Sequence, residues 1–244
     1  MNKTIWREKY SKDSYPAFPC PNSASGTLKR LKDRSYSFWR SGPDEDTTET
    51  EGKFASFFQC SYGFCATVAV MSGVATSVFV QNSYGDEEDR LEEEVYFYPK
   101  SMTPGPKVIS IPAKTPKPVQ TELKKAFNLI WTDRSSAVNK LRVAIEEMLV
   151  GFGIDKKTEE ENFIPLAQRL DRFQAMQIGH HDTLLALKDL GNTGSHETMM
   201  PLKDLLDAFD ILEDALEDIY GGRQARLAGI KQRFTKPRNP RTSV

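Results

Sequence analysis

The stretch Pro99-Lys100-Ser101-Met102-Thr103-Pro104-Gly105-Pro106-Lys107-Val108-Ile109-Ser110-Ile111-Pro112-Ala113-Lys114-Thr115-Pro116-Lys117-Pro118 divides the chain, because the residues before and after it read differently. It holds six prolines. Proline lacks a backbone donor and fixes φ, so it suits neither a helix interior nor a sheet interior. The segment therefore reads as an extended linker with a domain boundary inside it. Val108-Ile109-Ser110-Ile111 is a short strand candidate within it.

Upstream, the chain reads as strands. Phe54 to Cys60 and Cys65 to Gln81 are rich in aromatic and β-branched residues, the composition of a pleated, half-buried surface. Ser72-Gly73 interrupts the second run, and Gly73 is expected to supply a hairpin turn. Val95-Tyr96-Phe97-Tyr98 is a further strand candidate. Asp44 to Glu51 and Asp86 to Glu94 are acidic and read as solvated loops.

Downstream, the period changes to that of helices. Val119, Leu123, Phe127 and Ile130 recur at helical spacing. Asp133 or Ser135 can cap a second helix with the stripe Val138, Leu141, Ile145, Met148 and Leu149, ended by Gly151 and Gly153. Asn162 to Met176 and His181 to Leu190 read as a third and a fourth helix. Pro201 suits the first turn of a fifth, which runs to Tyr220 with a core face of Leu202, Leu205, Leu206, Phe209, Leu212, Leu216 and Ile219. Short connections between five helices predict an antiparallel bundle. Gly221 to Val244 carries seven basic residues and no acidic ones, and Thr235 to Val244 is expected to be extended or disordered. Such an end is a solubilising terminus or an electrostatic arm for nucleic acid.

Composition limits the function classes. The chain has 244 residues, 39% hydrophobic and 27% charged, with a formal net charge of -1. That describes a globular protein with a real core and no global attraction to nucleic acid or to a membrane surface. No apolar run approaches the roughly 20 residues a bilayer demands. The first ten residues lack a signal-peptide core, and three cysteines do not make a disulfide framework. The expectation is a cytoplasmic protein.

The chemistry-bearing residues gather in Ala186-Leu187-Lys188-Asp189-Leu190-Gly191-Asn192-Thr193-Gly194-Ser195-His196, between two helical segments. His196 is one of three histidines and can exchange a proton near neutrality. Asn192 could orient a phosphate or hold the imidazole, and Lys188 could neutralise charge. Gly191 and Gly194 permit unusual backbone angles, so the same loop also reads as a turn between helices, with Asn192 and Ser195 as caps. Arg142 and Glu146 form an i, i+4 pair, and Arg142 could alternatively enter the His196 cleft as a guanidinium. Arg169 and Arg172 could reach a phosphate, although arginines on a single helix usually face water. His180-His181 reads as a helix start, with no matching ligand spacing around it.

From Val95 to Tyr220 the chain resembles the bacterial family called domain of unknown function 4145. The likeness rests on Tyr96-Phe97-Tyr98-Pro99, Leu141-Arg142-Val143-Ala144-Ile145-Glu146, the Leu187 to His196 motif and Asp204-Leu205-Leu206-Asp207-Ala208. That family looks related to the HEPN helical bundles of bacterial immunity and toxin systems. Many of those are metal-independent endoribonucleases, and others are inactive binding modules. The resemblance implies a defence-related or RNA-processing protein, with His196, Asn192, Lys188 and Arg142 as the candidate catalytic group. The related nucleases carry an arginine a short gap before their histidine; here the basic residue is Lys188, eight positions before His196, a longer gap than usual. Their habit of pairing implies a homodimer. The alternative it carries is a non-catalytic adaptor that recruits a partner protein of a defence system or a nucleotide ligand. RNA is the implied substrate, and no membrane is involved.

The N-terminal half is similar to the zinc ribbons that precede this bundle in some relatives. Phe18-Pro19-Cys20-Pro21-Asn22-Ser23 has the form of a knuckle with Ser23 at its second ligand position, and Cys60-Ser61-Tyr62-Gly63-Phe64-Cys65 forms the other pair. Structural zinc takes four sulfur or nitrogen ligands. If zinc is held, Cys20, Cys60 and Cys65 are the ligands and the set is incomplete; otherwise the ribbon's shape is kept by an apolar core. The expected fold class is α+β: a small β-rich domain over 1–98, a proline-rich linker over 99–118, an antiparallel HEPN-like helical bundle over 119–220 and a basic tail over 221–244.

Overall fold

The computed structural model describes residues 1–12, 14–39, 49–82, 90–176, 178–193 and 200–235. The first half is one antiparallel sheet of six strands: β1 (Tyr10–Ser11), β2 (Phe18–Pro19), β3 (Thr27–Trp39), β4 (Glu49–Cys60), β5 (Val68–Asn82) and β6 (Arg90–Thr103). Their order is β1-β6-β5-β4-β3-β2, so β3 to β6 form a meander and the two short strands sit at opposite edges. The second half comprises α1 (Lys117–Leu129), α2 (Arg134–Gly151), α3 (Leu166–Gln174), α4 (His181–Thr193), α5 (Leu202–Tyr220) and α6 (Arg223–Thr235).

Register places Phe54, Ser56 and Phe58 of β4 opposite Gly73, Met71 and Ala69 of β5. Ala75 faces Phe97, and Met71 faces Met102 across β6. These side chains form one buried face, as the two-residue period of a strand requires. The sheet curls around that face into a half-barrel. The Arg30 guanidinium on β3 lies 5.6 Å from the Phe97 ring on β6, although β4 and β5 intervene. A flat sheet would hold β3 and β6 roughly 14 Å apart. Between these two side chains lies Tyr15, 4.4 Å under the Arg30 guanidinium and stacked on Tyr10.

The expected fold class is corrected here. The chain is α+β, but its N-terminal part is not a small ribbon followed by a HEPN-like bundle. It is a curled sheet whose strands reach 15 residues and whose interior is continuous with the helical core. Trp6 joins them, packing 5.7 Å from Phe18 of β2 and 5.6 Å from Trp131 beyond α1. Residues Lys3 and Asp207 form an ion pair at 2.7 Å, so the first residues also dock on α5.

Several local expectations change as well. Gly73 makes no hairpin turn; it lies inside β5, where the pairing shifts from Ser72↔Ser101 to Gly73↔Pro99. A Cβ there would fall 2.1 Å from the Tyr98 carbonyl oxygen, so only glycine allows this bulge. The bulge also explains how Pro99 is tolerated within β6, since the missing donor falls where regular pairing is broken. Val108 and Ile109 form no strand but are buried, and Gly105 comes so close to α1 that a Cβ would meet the Phe127 carbonyl oxygen at 2.6 Å. Part of each acidic stretch is strand: Glu49–Glu51 opens β4, and Arg90–Glu94 opens β6. The rest of both stretches lies outside the described residues.

Helix positions follow the apolar period. In α2, Val138, Leu141, Ile145, Met148 and Leu149 are all buried. Burying each such side chain stabilises by about 1.5–3 kcal/mol, several times any difference in helix propensity. The Asp133 carboxylate caps α2, accepting from the Ser136 amide at 2.9 Å and the Ser136 hydroxyl at 2.6 Å. Those two hydrogen bonds, the hydroxyl's first, hold its pKa below the ordinary carboxylate value. Its contribution is therefore present above the unfolded pKa and is lost as pH falls through the lower folded one. Asp133→Ala should cost about 1 kcal/mol at pH 7 in urea titrations, and the difference from wild type should shrink in acid. The third helix begins at Leu166, later than expected, because Pro165 occupies its cap. Arg223–Thr235 is helical, and the extended end expected over 235–244 lies almost wholly outside the described residues. Among the described residues, no helix is long and apolar enough to cross a membrane.

Candidate functional site

Three thiols converge at one end of the sheet. Cys20 follows β2, Cys60 ends β4, and Cys65 lies in the turn leading to β5. Their sulfurs all lie within 4.8 Å of one another, and the Cys20 and Cys65 sulfurs are 3.7 Å apart. All three are free thiols. Backbone bonding fixes the two turns that carry them: the Cys20 amide donates to the Gly26 carbonyl at 3.0 Å, and the Cys60 amide to the Thr67 carbonyl at 3.0 Å. The Tyr62 amide donates to the Cys60 sulfur at 3.5 Å.

Ser23 belongs to the same cluster. Its hydroxyl accepts from the Gly26 amide at 2.9 Å. A Cβ on Gly26 would stand 2.4 Å from the Cys60 sulfur and 2.9 Å from the Ser23 oxygen. Glycine thus keeps open a small space between Cys60 and Ser23. An open hollow of about 770 Å³ lies beside them, lined by Ser23 and Cys65 with Asn22, Tyr62, Phe64 and Thr67 among others.

The thiols are not equivalent. Cys20 and Cys60 are buried, and burial pushes the Cys60 thiol up. Cys65 is half-buried and its pKa is held down to about 7, first by the Thr67 hydroxyl 3.1 Å away. The thiolate is the nucleophile, so Cys65 should be the first cysteine alkylated by iodoacetamide at pH 7 in chelator-treated protein. Peptide mapping by mass spectrometry checks this. Thr67→Val should slow that reaction several-fold, and preferential labelling of Cys20 or Cys60 would contradict the geometry.

The helical candidates lie elsewhere. Arg142 of α2 packs against α4: a Cβ on Gly191 would sit 3.4 Å from both Cβ and Cδ of Arg142. Gly191 therefore serves close helix packing and lies inside α4, not in a turn after it. Lys188 precedes Gly191 by one helical turn and so shares its face. The Arg142 guanidinium pairs with Glu146 at 3.3 Å, and Lys188 with Asp189 at 2.7 Å. Asn192 is in the last turn of α4. His196 falls within 194–199, outside the described residues, as does the side chain of Asn192.

His180 reaches α5, with its Nε2 3.2 Å from Asp218, while His181 opens α4 beside Asp182 at 3.0 Å. Arg172 is exposed, but Arg169 is wholly buried and donates through one nitrogen to the carbonyls of Glu146 and Ile154 at 2.9 and 2.8 Å. Sequence reasoning placed Arg169 facing water. Its spacing with Leu166, Leu170 and Phe173, all buried, was the signal that it sits on the core side of α3.

The protein is thus of the class that couples a curled antiparallel sheet to a helical half. Residues 124–236, from within α1 to the end of α6, match the family model described as Domain of unknown function (DUF4145). No curated protein and no solved structure matches the chain.

Proposed function

We propose that the protein is a defence-related or RNA-processing factor whose helical half is a non-catalytic binding module that recruits a partner protein. The observation that carries this reading is the state of the two candidate cations. Arg142 and Lys188 each already hold a carboxylate, Glu146 and Asp189, so a phosphate would have to displace both. The Glu146 side chain is itself buried, which strengthens its hold on Arg142 relative to an exposed pair.

A second reading has one observation in its favour. Arg142 lies directly against Gly191, beside the helix end that leads to His196. In a metal-independent endoribonuclease, His196 would act as acid or base, Asn192 would orient the phosphate, and Lys188 or Arg142 would stabilise its charge. Incubation of the full chain with end-labelled RNA in chelator separates the two. Intact RNA is the expected result. Cleavage that His196→Ala abolishes, with the fold retained by circular dichroism, would replace the adaptor reading by the nuclease one. Sedimentation in the same buffer tests the homodimer.

The thiol cluster is read as a structural zinc site. Tetrahedral zinc with bonds of about 2.3 Å holds its sulfurs about 3.8 Å apart, close to the Cys20–Cys65 separation of 3.7 Å. Zinc there would tie β2 to the β4–β5 turn, and Cys20, Cys60 and Cys65 would be its protein ligands.

A further inference from the structure

Resting on the zinc reading, we infer that the fourth coordination position of this site faces the hollow beside Ser23 and takes an exchangeable donor from solution, preferentially the sulfur of a small thiol. Tetrahedral zinc needs four donors, and the cluster supplies three. Ser23 stands three residues after Cys20, where the second cysteine of a knuckle would be, and its oxygen and the Cys60 sulfur both border the Gly26 space. A neutral hydroxyl is a poor zinc ligand, and this one already accepts the Gly26 amide at 2.9 Å. Cys20 and Cys60 close the site from within, whereas Ser23 and Cys65 line the hollow. Solution therefore reaches the cluster from the Ser23 and Cys65 side.

The hollow suits such a ligand. Its volume of about 770 Å³ leaves room for a small thiol beside the cluster. Asn22 and Thr67 offer polar groups at its wall, joined by a 3.0 Å hydrogen bond, and Tyr62 and Phe64 offer exposed aromatic rings 5.8 Å apart. A metal site with three protein ligands and one position open to solvent has the form used for ligand exchange, unlike a closed four-cysteine site. In the exchange, the thiol loses its proton to solvent as its sulfur replaces a bound water, with no redox change.

Cobalt(II) reports both the number of thiolates and the geometry through its charge-transfer and ligand-field absorption. The full chain loaded with one equivalent of cobalt should show the three-thiolate intensity and rise to the four-thiolate level when 2-mercaptoethanol is added. Ser23→Cys should begin at the four-thiolate level, ignore added thiol and bind cobalt on the order of tenfold or more tighter. Ser23→Ala should behave as wild type, because the serine oxygen is not a ligand. Cobalt binding that is blind to thiol, or that Ser23→Ala abolishes, overturns the open position while leaving the metal site standing. Failure of the natural chain to take up cobalt removes the zinc reading and this inference with it, whatever Ser23→Cys does.

Discussion

Arg169→Ala will lower the unfolding free energy by about 3–5 kcal/mol, a loss set by an interior cation clasping the end of a helix. Arg169 has no solvent exposure. Its guanidinium accounts for the Ile154 carbonyl, just past α2, and for the Glu146 carbonyl inside it. Burial lowers its pKa, and the carboxylates of Glu146, Glu147 and Asp155 act against that shift. Truncation strips the Ile154 oxygen of its donor and leaves a cavity, while the Glu146 carboxylate keeps Arg142 as its partner. Urea titration should show the midpoint falling with an unchanged slope. Arg169→Lys should recover only part of the loss, because both bonds leave the terminal Nη2 and the lysine side chain ends one atom short of it. A loss below about 1 kcal/mol for the alanine variant would mean that the clasp carries little of the fold.

Trp6→Ala should cost a similar amount, about 3–5 kcal/mol, for a different reason. Its ring completes a three-ring cluster with Phe18 of the sheet and Trp131 of the helical half, which also meet each other at 5.6 Å. Removing it opens a void at the junction and should weaken both halves together. Far-UV circular dichroism and the fluorescence of the remaining Trp39 and Trp131 should then move to lower denaturant as one coincident transition. Separate midpoints for the two signals would show that the sheet and the helices stand independently.

The helices were legible because their apolar residues repeat at 3.6. Val119, Leu123 and Phe127 of α1 and the whole stripe of α2 are buried as that period demands. The sheet was harder. In β3, Thr27-Leu28-Lys29-Arg30-Leu31-Lys32-Asp33 carries charges where a strand is expected to carry apolar residues. Leu28 is its one buried residue, so pairing with β4, not burial, makes it a strand. Trp6 and Tyr10 are hidden in a charged N-terminal segment, and only tertiary packing reveals them as core. The cysteines were the reverse case. Their sequence spacing suggested a knuckle, and the chain brings all three together across 45 residues. What spacing could not show is that Gly26 leaves room for Ser23 and Cys60 to lie close beside it, or that Arg142 meets Gly191.

The docking of the first residues on α5 has a consequence for how the chain is made. Lys3 meets Asp207, 204 positions further along, and Tyr10 must wait for Phe97 before β1 can pair. A ribosome releases the opening segment first, yet its binding places are among the last to emerge. Closing so wide a loop is slow relative to local helix formation. Phe18 can meet Phe58 early, but Trp6 waits for Trp131 and Lys3 for Asp207, so chaperones that hold exposed aromatic segments have their longest opportunity at Trp6.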